Sequence, residues 1–180
     1  MKSYKLFIFF ILFITQLVGC APSTIMAIPQ SIADRRTTEV QVYDNKIFLA
    51  AWNPIQIITE KEKEKSHFNL VVFNKAIVIV GEVPTEEVKN RITEALLKID
   101  KVKTVHNKMV VGKVCNLKQR AKDTITTSNV KTRMFLELKN NLHPMHVKIM
   151  TENDVIYLLG LVNDKEADEA IRIAKSSKGV

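Results

Sequence analysis

Two segments of this 180-residue chain carry one pattern at a constant spacing. The first runs from His67 through Ile77-Val78-Ile79-Val80-Gly81 to Glu87, and the second from His146 through Ile156-Tyr157-Leu158-Leu159-Gly160 to Glu166. The offset is 79 residues (160 − 81), and it also carries His67 onto His146 and Asn74 onto Asn153 without a gap. An internal repeat outranks any local motif, because it fixes the unit that folds. Here it implies two copies of one small unit, the second expected to be cut short before its last strand, since the chain stops at Val180.

Hydrophobic periodicity gives the content of each copy. Residues 44–53 read as a helix that Asp44 caps and Pro54 limits. Residues 67–73 and 76–83 read as a hairpin turning at Asn74-Lys75, since Asn tolerates the positive φ of a tight turn. The β-branched run Ile77-Val78-Ile79-Val80 favours strand over helix. Pro84-Thr85-Glu86-Glu87 reads as a helix start with carboxylates near the positive end of the dipole. Val88, Ile92, Ala95 and Ile99 then fall on one face, and residues 102–111 supply a last strand. The second copy repeats this with helices over 126–141 and 165–176 and a hairpin over 145–151 and 155–162. The fold class is therefore α+β: two tandem α-β-β-α-β units, each with two helices on a small three-stranded sheet, each helix able to cover one face. The second sheet is expected to have only its hairpin, with an unpaired edge that is a liability in water.

The N-terminus does not belong to either unit. Lys2 and Lys5 precede the apolar run 6–14, which is too short for an ordinary membrane-spanning helix. Leu17-Val18-Gly19-Cys20 follows, and the whole describes a secretory signal. The tetrapeptide resembles a bacterial lipobox, which implies cleavage before Cys20 and acylation of that cysteine. A protein held by two or more acyl chains is stably anchored. Ala21 after the cysteine implies delivery to the outer membrane. The domain plan is a signal peptide over 1–19, a tether over 20–36, a first unit over 37–113, a linker over 114–122 and a second unit over 123–180. With Cys20 acylated, Cys115 has no internal disulfide partner.

Without Lys2 and Lys5 the chain holds 25 Lys and Arg against 19 Asp and Glu, a net +6. That excess favours anionic surfaces, although solubility alone would account for it. A secreted chain is not expected to meet nucleic acid, so anionic lipid is the natural candidate.

Two such units behind a lipobox resemble the dual BON-domain outer-membrane lipoproteins. The residues that carry the likeness are Gly81 with Val83, Gly160 with Val162, the stretch Val147-Lys148-Ile149-Met150-Thr151-Glu152-Asn153, and Asp34-Arg35-Arg36-Thr37-Thr38. The resemblance implies a non-enzymatic protein that binds anionic phospholipid and supports envelope integrity, with no cofactor. It attributes the lipid contact to the first helix of the second unit. There Ile125 stands where the family's pattern has a tryptophan, Val130-Lys131 match a Val-Arg pair and Met134-Phe135 match a Leu-Leu pair.

The helical wheel puts Val130, Met134 and Leu138 together as core. Ile125, Asn129, Arg133 and Leu136 lie roughly opposite, with Lys131 on a flank, while Phe135 stands at one edge of the core stripe. Ile125, Asn129, Lys131, Arg133, Phe135 and Leu136 are thus the candidate lipid-binding residues. The same face would also serve as a contact of Leu136 with the first unit. An alternative role is a periplasmic protein-interaction or chaperone-like adaptor with an envelope protein as partner.

No phosphate-binding Gly loop, nucleophile elbow or paired-cysteine metal motif occurs in the sequence. His143 and His146 are three apart, but Pro144 breaks a helical ligand geometry, so neither a metal site nor a catalytic residue is expected.

Overall fold

The computed structural model describes residues 34–60, 65–137 and 142–177, all within one compact body. Cys20 and residues 20–33 of the expected tether lie outside the described residues, as do Leu138 and residues 61–64.

The first helix, α1 (Thr38–Thr59), is longer than its sequence suggests at both ends. Its N-cap is Thr37, whose side chain accepts from the Val40 amide, so Asp44 does not cap it. Asp44 instead lies buried in the second turn of the helix. Pro54 does not end the helix either. Ile47, Ala51 and Ile55 form one stripe across it and are almost fully buried. Burying one such side chain contributes about 1.5–3 kcal/mol, which offsets a cost of roughly 3 kcal/mol for an interior proline.

Strands β1 (His67–Phe73) and β2 (Ala76–Val83) pair antiparallel. Asn74 and Lys75 take the positive φ that the turn requires, at 51° and 65°. Helix α2 (Glu86–Leu97) begins at the expected place, capped by Thr85. The expected last strand is broken in two. β3 (Thr104–Asn107) and β4 (Val110–Val111) lie end to end along the same edge of β2, both parallel to it. At the break the Met109 amide donates to Asn107 Oδ1, and the Met109 side chain turns into the core.

The second unit begins with helix α3 (Leu117–Leu136), nine residues before the expected start and inside the stretch 114–122 expected as linker. Asn116 caps it by accepting from the Gln119 amide. A short 3₁₀ turn (Pro144–His146) leads into β5 (Val147–Glu152), which pairs antiparallel with β6 (Val155–Gly160). Helix α4 (Asp164–Lys175) follows, capped by Asn163. Among the described residues the second sheet has these two strands, and the outer edge of β6 is unpaired.

The helices do not take opposite faces of their sheet. α1 and α2 share one face of the first sheet, in a core with Leu70, Val72, Ile77 and Ile79. α3 and α4 share one face of the second, around Val130, Met134, Val147, Ile149 and Ile173. The remaining faces meet each other: Val71, Val78 and Val80 pack against Met150, Tyr157 and Leu159. The layers run helices, sheet, sheet, helices, and β2 is buried on both sides.

The repeat glycines have a steric cause. A Cβ on Gly81 would stand 2.2 Å from the His67 carbonyl oxygen, and one on Gly160 would stand 2.6 Å from that of His146. Gly81 also has φ +120°, which L side chains rarely adopt. The glycine at the end of each second strand lets the start of the first strand cross it closely.

Candidate functional site

Helix α3 is built from its inner stripe outward. Asp123, Thr126, Val130 and Met134 are buried. Val130 and Met134 fill the core as expected. Asp123 also braces the hairpin turn of its unit. Its Oδ2 accepts from the Asn153 amide at 3.0 Å and its Oδ1 from the Asp154 amide at 3.1 Å. Asp44 does the same for the first hairpin, accepting from Asn74 and Lys75 at 2.7 Å each. Thr127 Oγ1 donates to Thr151 Oγ1 at 2.7 Å, tying the helix to β5.

The outer face is apolar and basic. Ile125 is 60 % exposed, Phe135 57 % and Leu136 79 %. Leu136 therefore does not pack on the first unit; the sheet faces make that contact. Lys131 is exposed on the flank, and Lys118, which the expected helix start left out, extends the basic face by more than three turns. Neither lysine forms an ion pair among the described residues. The signal for the earlier start was Asn116-x-x-Gln119, a capping pattern placed just before the helix. Lys122 is held by Asp154 at 2.7 Å, and Asn129 is half-buried.

Arg133 differs from the rest of the expected set. It pairs with Glu137 at 2.6 Å, and its Nη1 donates to Ile173 O and Ser177 Oγ at the end of α4. Glu137 in turn accepts from Arg172. Hydrogen bonds from Arg172 first and Arg133 second hold the Glu137 carboxyl below its usual range. Arg133 is thus a link between α3 and α4 whose donors are engaged within the protein.

A second exposed apolar stripe lies on α1. Phe48, Leu49, Trp52 and Ile57 are solvent-facing, and the Trp52 ring rests 5.0 Å from Phe68 and 6.3 Å from Phe48. Sequence reasoning misses it, because Phe48, three residues before the buried Ala51, reads as part of the same core face.

Asp34-Arg35-Arg36 forms a clasp over both units. Arg36 donates to Asp34 and to Asp44 Oδ2, and its guanidinium lies 4.3 Å from the Phe73 ring centroid. Arg35 makes two 2.6 Å bonds to Glu166 and a 3.0 Å bond to Leu161 O. The Arg35 bonds, then the Asn163 amide, bring the Glu166 carboxyl down to about 2. Lys148 adds a 3.1 Å bond across the sheets to Val72 O.

Between the units, His67, Asn69, Arg120, Thr127, Lys131 and Glu152 line a cleft of about 430 Å³. His143 and His146 sit apart from it and stabilise the 3₁₀ turn: His143 Nδ1 accepts from the Met145 amide, and His146 Nδ1 from the His143 amide. No helix among the described residues is long and apolar enough to cross a membrane.

This geometry has relatives. The outer membrane lipoprotein DolP of Haemophilus influenzae is 29% identical over 167 residues, which cover 91% of this chain and 85% of that protein. The 21 kDa hemolysin of Actinobacillus pleuropneumoniae is 24% identical over 118 residues, covering 66% of this chain and 60% of that protein. The BON domain model matches residues 56–113 and again residues 122–180, one match in each structural repeat. With two matched copies spanning most of its length, and the likeness to DolP along nearly all of it, the chain belongs to the BON-domain family as a DolP-like dual-BON protein.

Proposed function

We propose that this protein is a non-enzymatic outer-membrane lipoprotein, anchored by an acylated Cys20, that binds anionic phospholipid through the outer face of α3 and so supports envelope integrity. The observation that carries the reading is that face itself. Ile125, Phe135 and Leu136 are exposed beside Lys118 and Lys131, although the core of the unit is complete without them. Exposed large apolar groups flanked by unpaired cations suit a surface with an apolar interior and an anionic rim. The named relative DolP is an outer membrane lipoprotein, which supports the location. Arg133, paired with Glu137, holds α4 rather than presenting a cation to the lipid.

The test uses the unacylated chain from Ala21 onward, floated with phosphatidylglycerol or phosphatidylcholine vesicles. Binding is expected to anionic vesicles and to weaken with salt. Each lysine near an anionic surface is worth about 1 kcal/mol, so Lys118→Ala with Lys131→Ala is expected to weaken binding roughly thirtyfold. Equal binding to neutral and anionic vesicles would sink the proposal.

The α1 stripe around Trp52 favours a second reading, an adaptor that holds an envelope protein. A photocrosslinker at Leu49 that captures one discrete protein, while one at Leu136 captures no lipid, would support that reading over the first.

A further inference from the structure

Where the two sheets meet, at the end of each first hairpin, polar groups from four segments converge. Glu82 is the last residue but one of β2, Glu152 ends β5, Cys115 precedes α3 and His67 begins β1. Ligand atoms of Glu82, Cys115 and Glu152 all lie within 4.8 Å of one another. His67 Nε2 is 3.6 Å from Glu152 Oε1.

The two carboxylates are 3 % and 5 % exposed. Glu82 Oε2 and Glu152 Oε1 have no hydrogen-bond partner. The other oxygen of Glu82 accepts from Asn153. An acceptor buried without a partner is costly, and more so when it is charged. The local charge does not balance. Asp123 is a third carboxylate nearby, its oxygens turned to the Asn153 and Asp154 amides and the Gln119 side chain. Arg120 is the cation that faces the group, and its Nε also lacks a partner. Three carboxylates against one guanidinium leave room for a divalent cation.

We propose that Glu82, Cys115 and Glu152, with His67 as a fourth donor, form a site between the two units for one divalent transition-metal ion with zinc-type coordination. A thiolate beside imidazole and carboxylate selects zinc over the hard cations magnesium and calcium. Zinc–oxygen bonds of about 2.1 Å and zinc–sulfur bonds of about 2.3 Å put tetrahedral ligands roughly 3.5 Å apart. Closing Glu82, Cys115 and Glu152 from within 4.8 Å to that spacing takes up to about 1.3 Å, shared between the two side chains of each pair.

Burial first, then the charges of Glu82 and Asp123, push the Glu152 carboxyl up to about 7. Burial first and Arg120 second hold His67 below its usual value, keeping a neutral nitrogen with a lone pair. Burial raises the Cys115 thiol against a hydrogen bond from Arg120. Coordination by carboxylate and thiolate releases any proton those groups carry, so affinity falls as pH falls. The ion would staple β2 of the first unit to β5 of the second through the segment that joins them.

The test takes the full chain in detergent, titrated with Zn²⁺ against a chromogenic chelator and separately with Co²⁺ as a spectroscopic probe. One equivalent of zinc is expected. Cys115→Ser and Glu82→Gln are each expected to weaken it at least tenfold, and Glu86→Gln, on the exposed start of α2, to leave it unchanged. The thiolate-to-cobalt charge-transfer band is expected in the wild type and absent in Cys115→Ser. If a variant fails to fold, the wild type still decides: zinc is expected to raise its unfolding temperature and a chelator to reverse the rise. No stoichiometric zinc, zinc uptake equal in Cys115→Ser, or an unfolding temperature indifferent to zinc would each overturn the proposal.

Discussion

One carboxylate on the first helix of each unit fixes the hairpin turn that follows it some thirty residues later. Asp44 accepts from the Asn74 and Lys75 amides and Asp123 from those of Asn153 and Asp154. Each turn has two residues at positive φ, and the carboxylate satisfies the amides which that geometry points inward. Asp44→Ala also leaves the shielded Arg36 with one partner fewer. It is expected to destabilise the protein by about 3 kcal/mol in urea denaturation. Asp123→Ala, which strands two amides, is expected to destabilise by about 2 kcal/mol. The offset of 79 residues pairs these two aspartates, so the device was legible in the repeat. It was hidden by a local rule, since an Asp near a helix start reads as a cap. The repeat glycines, in contrast, were visible at once, because nothing else tolerates the close approach of the His67 and His146 carbonyls.

At the scale of elements, the helices were mislocated where tertiary burial overrode local punctuation. Pro54 reads as a stop, yet Ile55 beyond it is fully buried and α1 continues to Thr59. Pro54→Ala restores the missing donor without disturbing that stripe. It is expected to raise stability by about 2 kcal/mol, the interior-proline cost of roughly 3 less about 1 for the stiffness lost from the unfolded chain. Failure of the urea midpoint to rise would mean that Pro54 is part of the packing. The broken last strand was equally illegible. The spacing of residues 102–111 fits one strand, and only the Asn107 side chain, bonded to Lys89 O and Thr93 on α2, explains the break. Of the candidate site, Ile125 and Leu136 were legible as exposed because the wheel needs only helical periodicity, although the wheel sets the exposed Phe135 at the edge of the core stripe. Arg133 was not, because its partners Ile173 and Ser177 lie forty residues on.

The whole molecule is held by a sheet-on-sheet contact and the Asp34-Arg35-Arg36 clasp. The uninterrupted run Ile77-Val78-Ile79-Val80 carried the hint, since a strand buried on both faces lacks alternation. Which surface covers the second face is set by residues of the other unit, beyond the reach of periodicity. The clasp makes stability depend on acid. Glu166 sits at about 2 in the folded protein against an ordinary value of 4.5. A depressed carboxyl stabilises the fold above its unfolded value, so this contribution is present above about pH 4.5 and is lost as pH falls toward 2. Glu166→Gln is expected to flatten the acid-side fall in urea midpoint, and an unchanged fall would place the acid sensitivity elsewhere.

The exposed apolar stripes on α1 and on α3 offer different orientations at a membrane. Tryptophan fluorescence separates them, because Trp52 is the single tryptophan of the chain. The measurement is quenching by brominated lipid in phosphatidylglycerol vesicles. It compares the unacylated wild type with a Trp52→Phe, Ile125→Trp variant. Strong quenching and a blue shift are expected for the tryptophan at position 125, and little of either for Trp52. Quenching of Trp52 with none at position 125 would contradict a lipid-binding face on α3.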